Sequence, residues 1–289
     1  MKIEATSYAQ WSQAYRCVAG PFELIVVTEI GPRIMSLRRG DGDNILYQDH
    51  TGLSYGDWHI YGGHRFLTAP ESMESYEPDN DSCTARITGS VLRIIRPTGS
   101  NGLDKILEIE ALCGDKGFEI RHILRNPGPF MWHGAPWPLT CIQPCGRIIV
   151  PWGSGSEQWR TNKAVYWDRV GGESYAVTGT QWQPRNGIFV VEPSGATGKV
   201  GLYSDRGWLA WLRPDGTFVI RFAPIAPESS CPDSGCNVEI YTCKDFVEME
   251  TLGGLDTLYP GSQRIHTEQW LLTEKVFTPE RWREIESIG

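Results

Sequence analysis

FELIVVTEI (residues 22–30), GP (31–32), RIMSLRR (33–39), GDGD (40–43) and NILYQ (44–48) form one continuous stretch, and its reading decides the fold. A run of β-branched and apolar residues stops at Gly31-Pro32. A second run returns, and Gly40-Asp41-Gly42-Asp43 turns the chain into a third. Glycine and aspartate supply the backbone angles of tight turns, while branched and aromatic side chains suit a pleated surface. The stretch is therefore a series of short antiparallel strands.

The same punctuation continues along the chain, where 32 glycines and 19 prolines fall at short intervals between apolar runs. Further strands are expected over 85–96, 105–113, 117–126, 147–151, 187–192, 199–204, 208–212, 217–223, 238–244, 246–252 and 263–273. Helical signals are confined to the C-terminus. There Thr278 can cap, Pro279 suits a first helical position, and 280–288 can form a short helix. No long linker or repeat interrupts the 289 residues. The expected architecture is all-β, a large antiparallel β-sandwich spanning 1–289 as one domain.

Composition removes several functions. The net charge of -8 and the lack of a basic stripe argue against a nucleic-acid surface. No run approaches the roughly 18 apolar residues of a membrane span. The opening MKIEATSYAQWSQAY has no apolar core of a secretory signal, so a cytoplasmic location is expected. Accordingly the eight cysteines are expected as free thiols. Cys141-x3-Cys145 and Cys231-x4-Cys236 lack histidines at zinc spacing, so no metal is assigned. No phosphate loop or dinucleotide fingerprint occurs, and no cofactor is expected. Oligomeric state is not readable.

Twelve tryptophans are present, and Trp132, Trp137, Trp152, Trp159, Trp167 and Trp182 fall close together in sequence. Indole rings stack on the flat C–H faces of sugars, and neighbouring Arg, Asn, Glu and Gln can meet hydroxyls. Large core side chains are the competing explanation for each ring taken alone.

Three segments can carry chemistry. In YGGHRFLTAPE (61–71), Gly62 and Gly63 allow close backbone approach, His64 can exchange a proton, Arg65 offers a planar fork, and Glu71 can serve as its counter-ion or as a base. A glycine-rich turn with satisfied polar groups is the alternative. In WHGAPWPLT (132–140), His133 is either at a cleft rim or a plain loop histidine. In NVEIYT (237–242), Asn237, Glu239 and Tyr241 share one face of a strand, which calls for a cleft, a ligand or an outward edge. Glu248 and Glu250 read as a solvated face. Arg221, flanked by apolar residues, is expected to pair with a cleft carboxylate or an anionic ligand group. His266 and Glu268 share a face of the last strand and are weaker candidates.

These residues carry a family resemblance over most of the chain. The opening hairpin through NILY (44–47), the glycine-rich arginine-bearing segment YGGHR…APE, and LYPG (258–261) before the last strand resemble galactose-mutarotase-like domains. Within that superfamily the chain is most similar to an uncharacterised bacterial branch with a GGHR…APE segment, a CNVE-Y-T strand and an E-x-E-T-L-G strand. The resemblance implies a supersandwich fold and a carbohydrate ligand, either a small sugar or an oligosaccharide. It implies aldose 1-epimerase-like chemistry, in which a glutamate base and a histidine acid interconvert sugar anomers. Glu239 matches the base in chain order, and Arg65 matches a substrate-binding arginine. The family's mid-chain histidine segment is replaced here by Ala135-Pro136-Trp137. His64 or His133 is therefore the expected acid, with Tyr61, Glu71, Trp137, Arg221, Asn237 and Tyr241 as substrate contacts. Polysaccharide lyase or glycosidase action on a chain that can contain uronates, and non-catalytic sugar binding, are the alternatives.

Overall fold

The computed structural model describes residues 1–153, 161–225 and 227–288. Two large antiparallel sheets dominate it. The first runs, in spatial order, through Lys2–Tyr8, Trp11–Ala19, Phe22–Val27, Arg33–Arg39, His64–Ala69, Trp132–Ile142, Val247–Thr251, Val238–Thr242, Gly198–Leu202 and Ala164–Trp167. Asp256–Leu258 pairs with the start of Trp132–Ile142. The second runs through Trp182–Arg185, Ile188–Val191, Arg147–Pro151, Trp208–Arg213, Gly216–Phe222, Gln263–Thr273, Gly117–Arg125, Asp104–Ala111, Val91–Arg96 and Thr84–Thr88.

Alternation along each strand divides the side chains between two faces. Val238, Ile240, Val247, Met249, Val200 and Leu202 of the first sheet share a buried core with Trp211, Phe218, Ile220 and Trp270 of the second. Each fully buried side chain of this size contributes roughly 1.5–3 kcal/mol. The outer face of the second sheet is capped by the C-terminal segment, whose Phe277, Trp282 and Ile285 pack on Trp208, Val219 and Leu271. The outer face of the first sheet carries Leu67, Trp137 and Leu139 in one cluster and Cys141 and Phe246 in another.

The sandwich expected from the turn-punctuated sequence is the one observed. Differences lie in detail. Segment 85–96 is two strands, Thr84–Thr88 and Val91–Arg96, because Gly89 takes a positive φ of 59° and turns the chain. Segment 44–48 makes only isolated bridges, Leu46 to Ile142 and Gln48 to Gly62. The C-terminal helix shortens to one 3-10 turn, Pro279–Arg281, and one α turn, Trp282–Ile285. The segments for which a glycine turn and a loop histidine were the competing readings, 61–71 and 132–140, contribute adjacent central strands of the first sheet, His64–Ala69 and Trp132–Ile142. All eight cysteines are free.

Candidate functional site

Sheet register assembles the site. Glu239 stands opposite Glu250, and Tyr241 opposite Glu248. On the other side of that strand, Tyr241 stands opposite Lys199, and Lys199 in turn opposite Trp167. Across the next pair, Leu139 faces Glu250 and Cys141 faces Glu248. Trp137 faces Leu67, and Leu139 faces Arg65. A period of two places all of these on the outer face of the first sheet, opposite the core residues that alternate with them.

Lys199 is the hub. Its Nζ lies 2.7 Å from Glu239 Oε2, 3.0 Å from Glu250 Oε2 and 2.9 Å from Glu71 Oε2. The ammonium lies over the rings of Trp137, at 4.5 Å, and Trp167, at 5.2 Å. Trp137 Nε1 donates to Glu250 Oε2 at 2.6 Å. Tyr76 donates its hydroxyl proton to Glu71 Oε1. Burial works against the Lys199 charge, but Glu239, Glu250 and Glu71 outweigh it and hold its pKa well above the ordinary lysine value. One ammonium cannot balance every carboxylate. Burial, followed by the nearby Asp233 and Glu71, pushes Glu239 up to about 7 against the pull of Lys199. Burial likewise raises Glu250 well above its usual range, and raises Glu248. The cluster thus holds protons at neutral pH.

A cavity of about 280 Å³ opens over this cluster. Trp58, Tyr76, Trp137, Tyr175, Tyr241 and Phe246 form aromatic walls, Glu71 and the buried Glu248 and Lys199 supply charged groups, and exposed Glu173 adds a further carboxyl. Arg65 lies beneath the Trp58 ring, 4.2 Å from its centroid. It is fully buried and donates to Asp79 Oδ1 at 2.9 Å and to the His59 carbonyl at 3.2 Å. Arg33 grips the other oxygen of Asp79 at 2.6 Å.

Of the residues singled out in the sequence, Glu71, Trp137, Tyr241 and Glu248 line the cavity. Glu239 and Arg65 lie one layer below it, each with no exposed surface. His64 points the opposite way. Its ring is in the core between the sheets, edge-on to Trp270, and burial pushes its pKa down to about 3. It therefore lacks both the position and the proton of a cavity acid. His133 is exposed near the start of its strand, where Nδ1 meets Thr257 Oγ1 at 3.1 Å, and it does not line the cavity. Among the described residues Arg221 makes no salt bridge, and it does not line the cavity. It donates to the carbonyls of Ile285, Glu286 and Ile288, fastening the C-terminal segment. Asn237 is bonded to the backbone N–H and carbonyl of Ser204. Tyr61 donates to Asn80 Oδ1 and meets Trp11 edge-on, outside the cavity.

Gly62 and Gly63 do admit a close approach, but to backbone. An added Cβ would meet Tyr47 O at 2.3 Å and Ile34 O at 2.2 Å. Glu248 and Glu250, expected on a solvated face, are buried because loops cover the outer side of their strand. Lys199 was not visible as a site residue, and Tyr76 and Tyr175 sit on those covering loops. The surviving signal was alternation: EME in 248–250 repeats the polar spacing of Glu239 and Tyr241 on a neighbouring strand. Of the clustered tryptophans, Trp152 and Trp182 are core residues, and Trp159 lies outside the described residues.

No family model matches the chain, and no curated protein matches it in sequence. Solved structures do match. A galactose mutarotase-like protein from Clostridium acetobutylicum superposes with a TM-score of 0.61 at 12% identity, covering 95% of this chain and 99% of that one. A candidate aldose 1-epimerase from Escherichia coli K12 gives 0.61 at 10% identity, covering 91% and 99%. A galactose mutarotase-like protein from Lactobacillus casei gives 0.57 at 12% identity, covering 90% and 99%. The chain has the galactose-mutarotase-like fold.

Proposed function

We propose that this protein is a carbohydrate-binding enzyme of the aldose 1-epimerase kind, acting on a neutral sugar. The observation that carries the reading is the cavity base: two carboxyl groups, Glu71 and Glu248, beneath aromatic walls. Glu71 is oriented by Tyr76 and ion-paired to Lys199. Burial raises the pKa of Glu248, which favours its protonated form. A carboxylate held by an ammonium beside a carboxyl whose pKa burial raises suits the pair of roles, base and acid.

Glu71 takes the proton of the anomeric hydroxyl while Glu248 protonates the ring oxygen. The C1–O5 bond breaks and the open-chain aldehyde forms. Rotation about C1–C2 presents the other carbonyl face. The ring hydroxyl then attacks C1, Glu248 recovers its proton, and Glu71 returns its proton to the new anomeric oxygen. Glu239 acts through Lys199, setting the charge at the cavity base without reaching the sugar.

Charge favours a neutral substrate over a uronate. Among the described residues lining the cavity, Lys199 is the only cation, and its three carboxylate partners already occupy it. An anionic sugar would meet a surplus of carboxyl groups, which weighs against elimination from a uronate chain.

Proton NMR of freshly dissolved single-anomer sugars tests the reading. Faster equilibration than in buffer, reduced about 100-fold or more in Glu248→Gln and Glu71→Gln, supports it. New olefinic or reducing-end signals would replace it with a lyase or hydrolase. Saturable binding without any product would leave a sugar-binding protein.

A further inference from the structure

The core between the sheets contains a second polar cluster that the cavity chemistry does not use. His64 comes from the strand His64–Ala69 of the first sheet, His122 from Gly117–Arg125 and Glu268 from Gln263–Thr273 of the second. All three side chains are fully buried. Their ligand-capable atoms lie within 4.8 Å of one another, the one such group among the described residues. We propose that this is a structural site for a divalent transition ion of the zinc type, joining the two sheets.

The outer hydrogen bonds set the ligand atoms. His122 Nδ1 lies 3.1 Å from the His266 carbonyl oxygen. A carbonyl only accepts, so Nδ1 carries the proton, and Nε2 of the neutral ring is a lone pair. His64 Nδ1 lies 2.9 Å from Thr140 Oγ1, which can accept its proton as well as donate one. With the proton on Nδ1, the Nε2 atoms of both rings aim at one point, and they are 2.7 Å apart. Metal-bound histidines are held by this kind of second bond from the other ring nitrogen. A tetrahedral ion with Zn–N near 2.0–2.1 Å separates two nitrogens by about 3.3 Å, so the rings need to spread by roughly half an ångström.

Glu268 supplies the charge. Thr251 Oγ1 and Trp270 Nε1 donate to its two oxygens at 2.6 and 2.8 Å. Among the described residues no lysine or arginine pairs with it, whereas the buried acids Asp79, Glu77, Glu239 and Glu250 each have a cationic partner. A buried carboxylate with no cation beside two converging imidazole nitrogens is a donor set suited to zinc. On binding, the His64 proton resides on Nδ1 and any proton on Glu268 leaves to solvent.

Because the site is sealed between sheets, loading accompanies folding. The full chain is refolded from denaturant with equimolar Zn2+ or with chelator, desalted, and analysed for metal. The expected result is about one zinc per chain, a Tm more than about 3 °C above the chelator sample, and loss of retained zinc in His122→Gln and Glu268→Gln. Refolding with Co2+ should give the intense visible bands of a tetrahedral nitrogen–oxygen site. Wild-type protein that folds but retains no metal overturns the proposal. So does equal retention in both folded variants. If the variants fail to fold, the cobalt spectrum decides: weak octahedral bands in the wild type overturn it. None of these readouts depends on sugar chemistry.

Discussion

Glu239 and Glu250 stand directly opposite each other on neighbouring strands, and both touch Lys199, at 2.7 and 3.0 Å. Two carboxylates in one register position repel unless a proton or a cation intervenes. Here both do. The pH dependence of stability follows. Glu239 rises from an ordinary 4.5 to about 7, mainly through burial. A raised folded-state pKa contributes fully below the unfolded value, and the contribution is lost as pH rises through the folded one. Denaturant unfolding of Glu239→Gln should therefore gain on the wild type between about pH 4.5 and 7, by on the order of 3 kcal/mol. Parallel stability curves would refute the raised pKa.

Lys199→Met should show the opposite balance. Removing the ammonium leaves three carboxyl groups without their cation, at a cost of roughly 3–5 kcal/mol when they are charged. At pH 8 the loss should be near its full value. At pH 5 Glu239, pushed up to about 7 by burial, is protonated, and the loss should shrink. Urea midpoints at the two pH values check this.

Tyr175 is half-buried on the cavity wall, and its ring lies 5.8 Å from Tyr241. Replacing it with alanine should weaken sugar binding roughly threefold to tenfold, the worth of one stacking ring, with little change in Tm. Titration followed by intrinsic tryptophan fluorescence measures it.

Arg221→Met should separate stability from the site. Three C-terminal carbonyls lose their donor. A loss of about 2 kcal/mol and earlier proteolysis after Phe277 are expected, with anomer kinetics unchanged. A change in kinetics at constant stability would return Arg221 to the site.

Sheet content was legible because turn residues and β-branched runs are local signals. The strands Lys2–Tyr8 and Trp11–Ala19 were missed because their mixed polar composition shows a period only beside their sheet neighbours. WHGAPWPLT (132–140) left His133 between a cleft rim and a plain loop, yet Trp132–Ile142 is a central strand of the first sheet. Pro136 and Pro138 are tolerated within it opposite Thr68 and Phe66. The site was half legible. Alternation placed Glu239 and Tyr241 on one face, but burial of Glu248 and Glu250 depends on loops that arrive from elsewhere in the chain. His64 carried a catalytic expectation because residue type speaks of proton transfer, whereas the direction its ring faces is decided by strand parity.

Asp79 is gripped by Arg33 from one strand and Arg65 from the next, at 2.6 and 2.9 Å. The segment that holds Asp79 also carries Glu71 and Tyr76 of the cavity. Lifting that segment would strand two buried guanidinium groups, a penalty of several kcal/mol. That wall is therefore a fixed jamb. Traffic in and out of the cavity must pass on the other side, where Tyr55 is 62% exposed and Gly171 lies in a solvent-facing turn. Release of whatever the cavity holds is then expected to depend on those few rim residues.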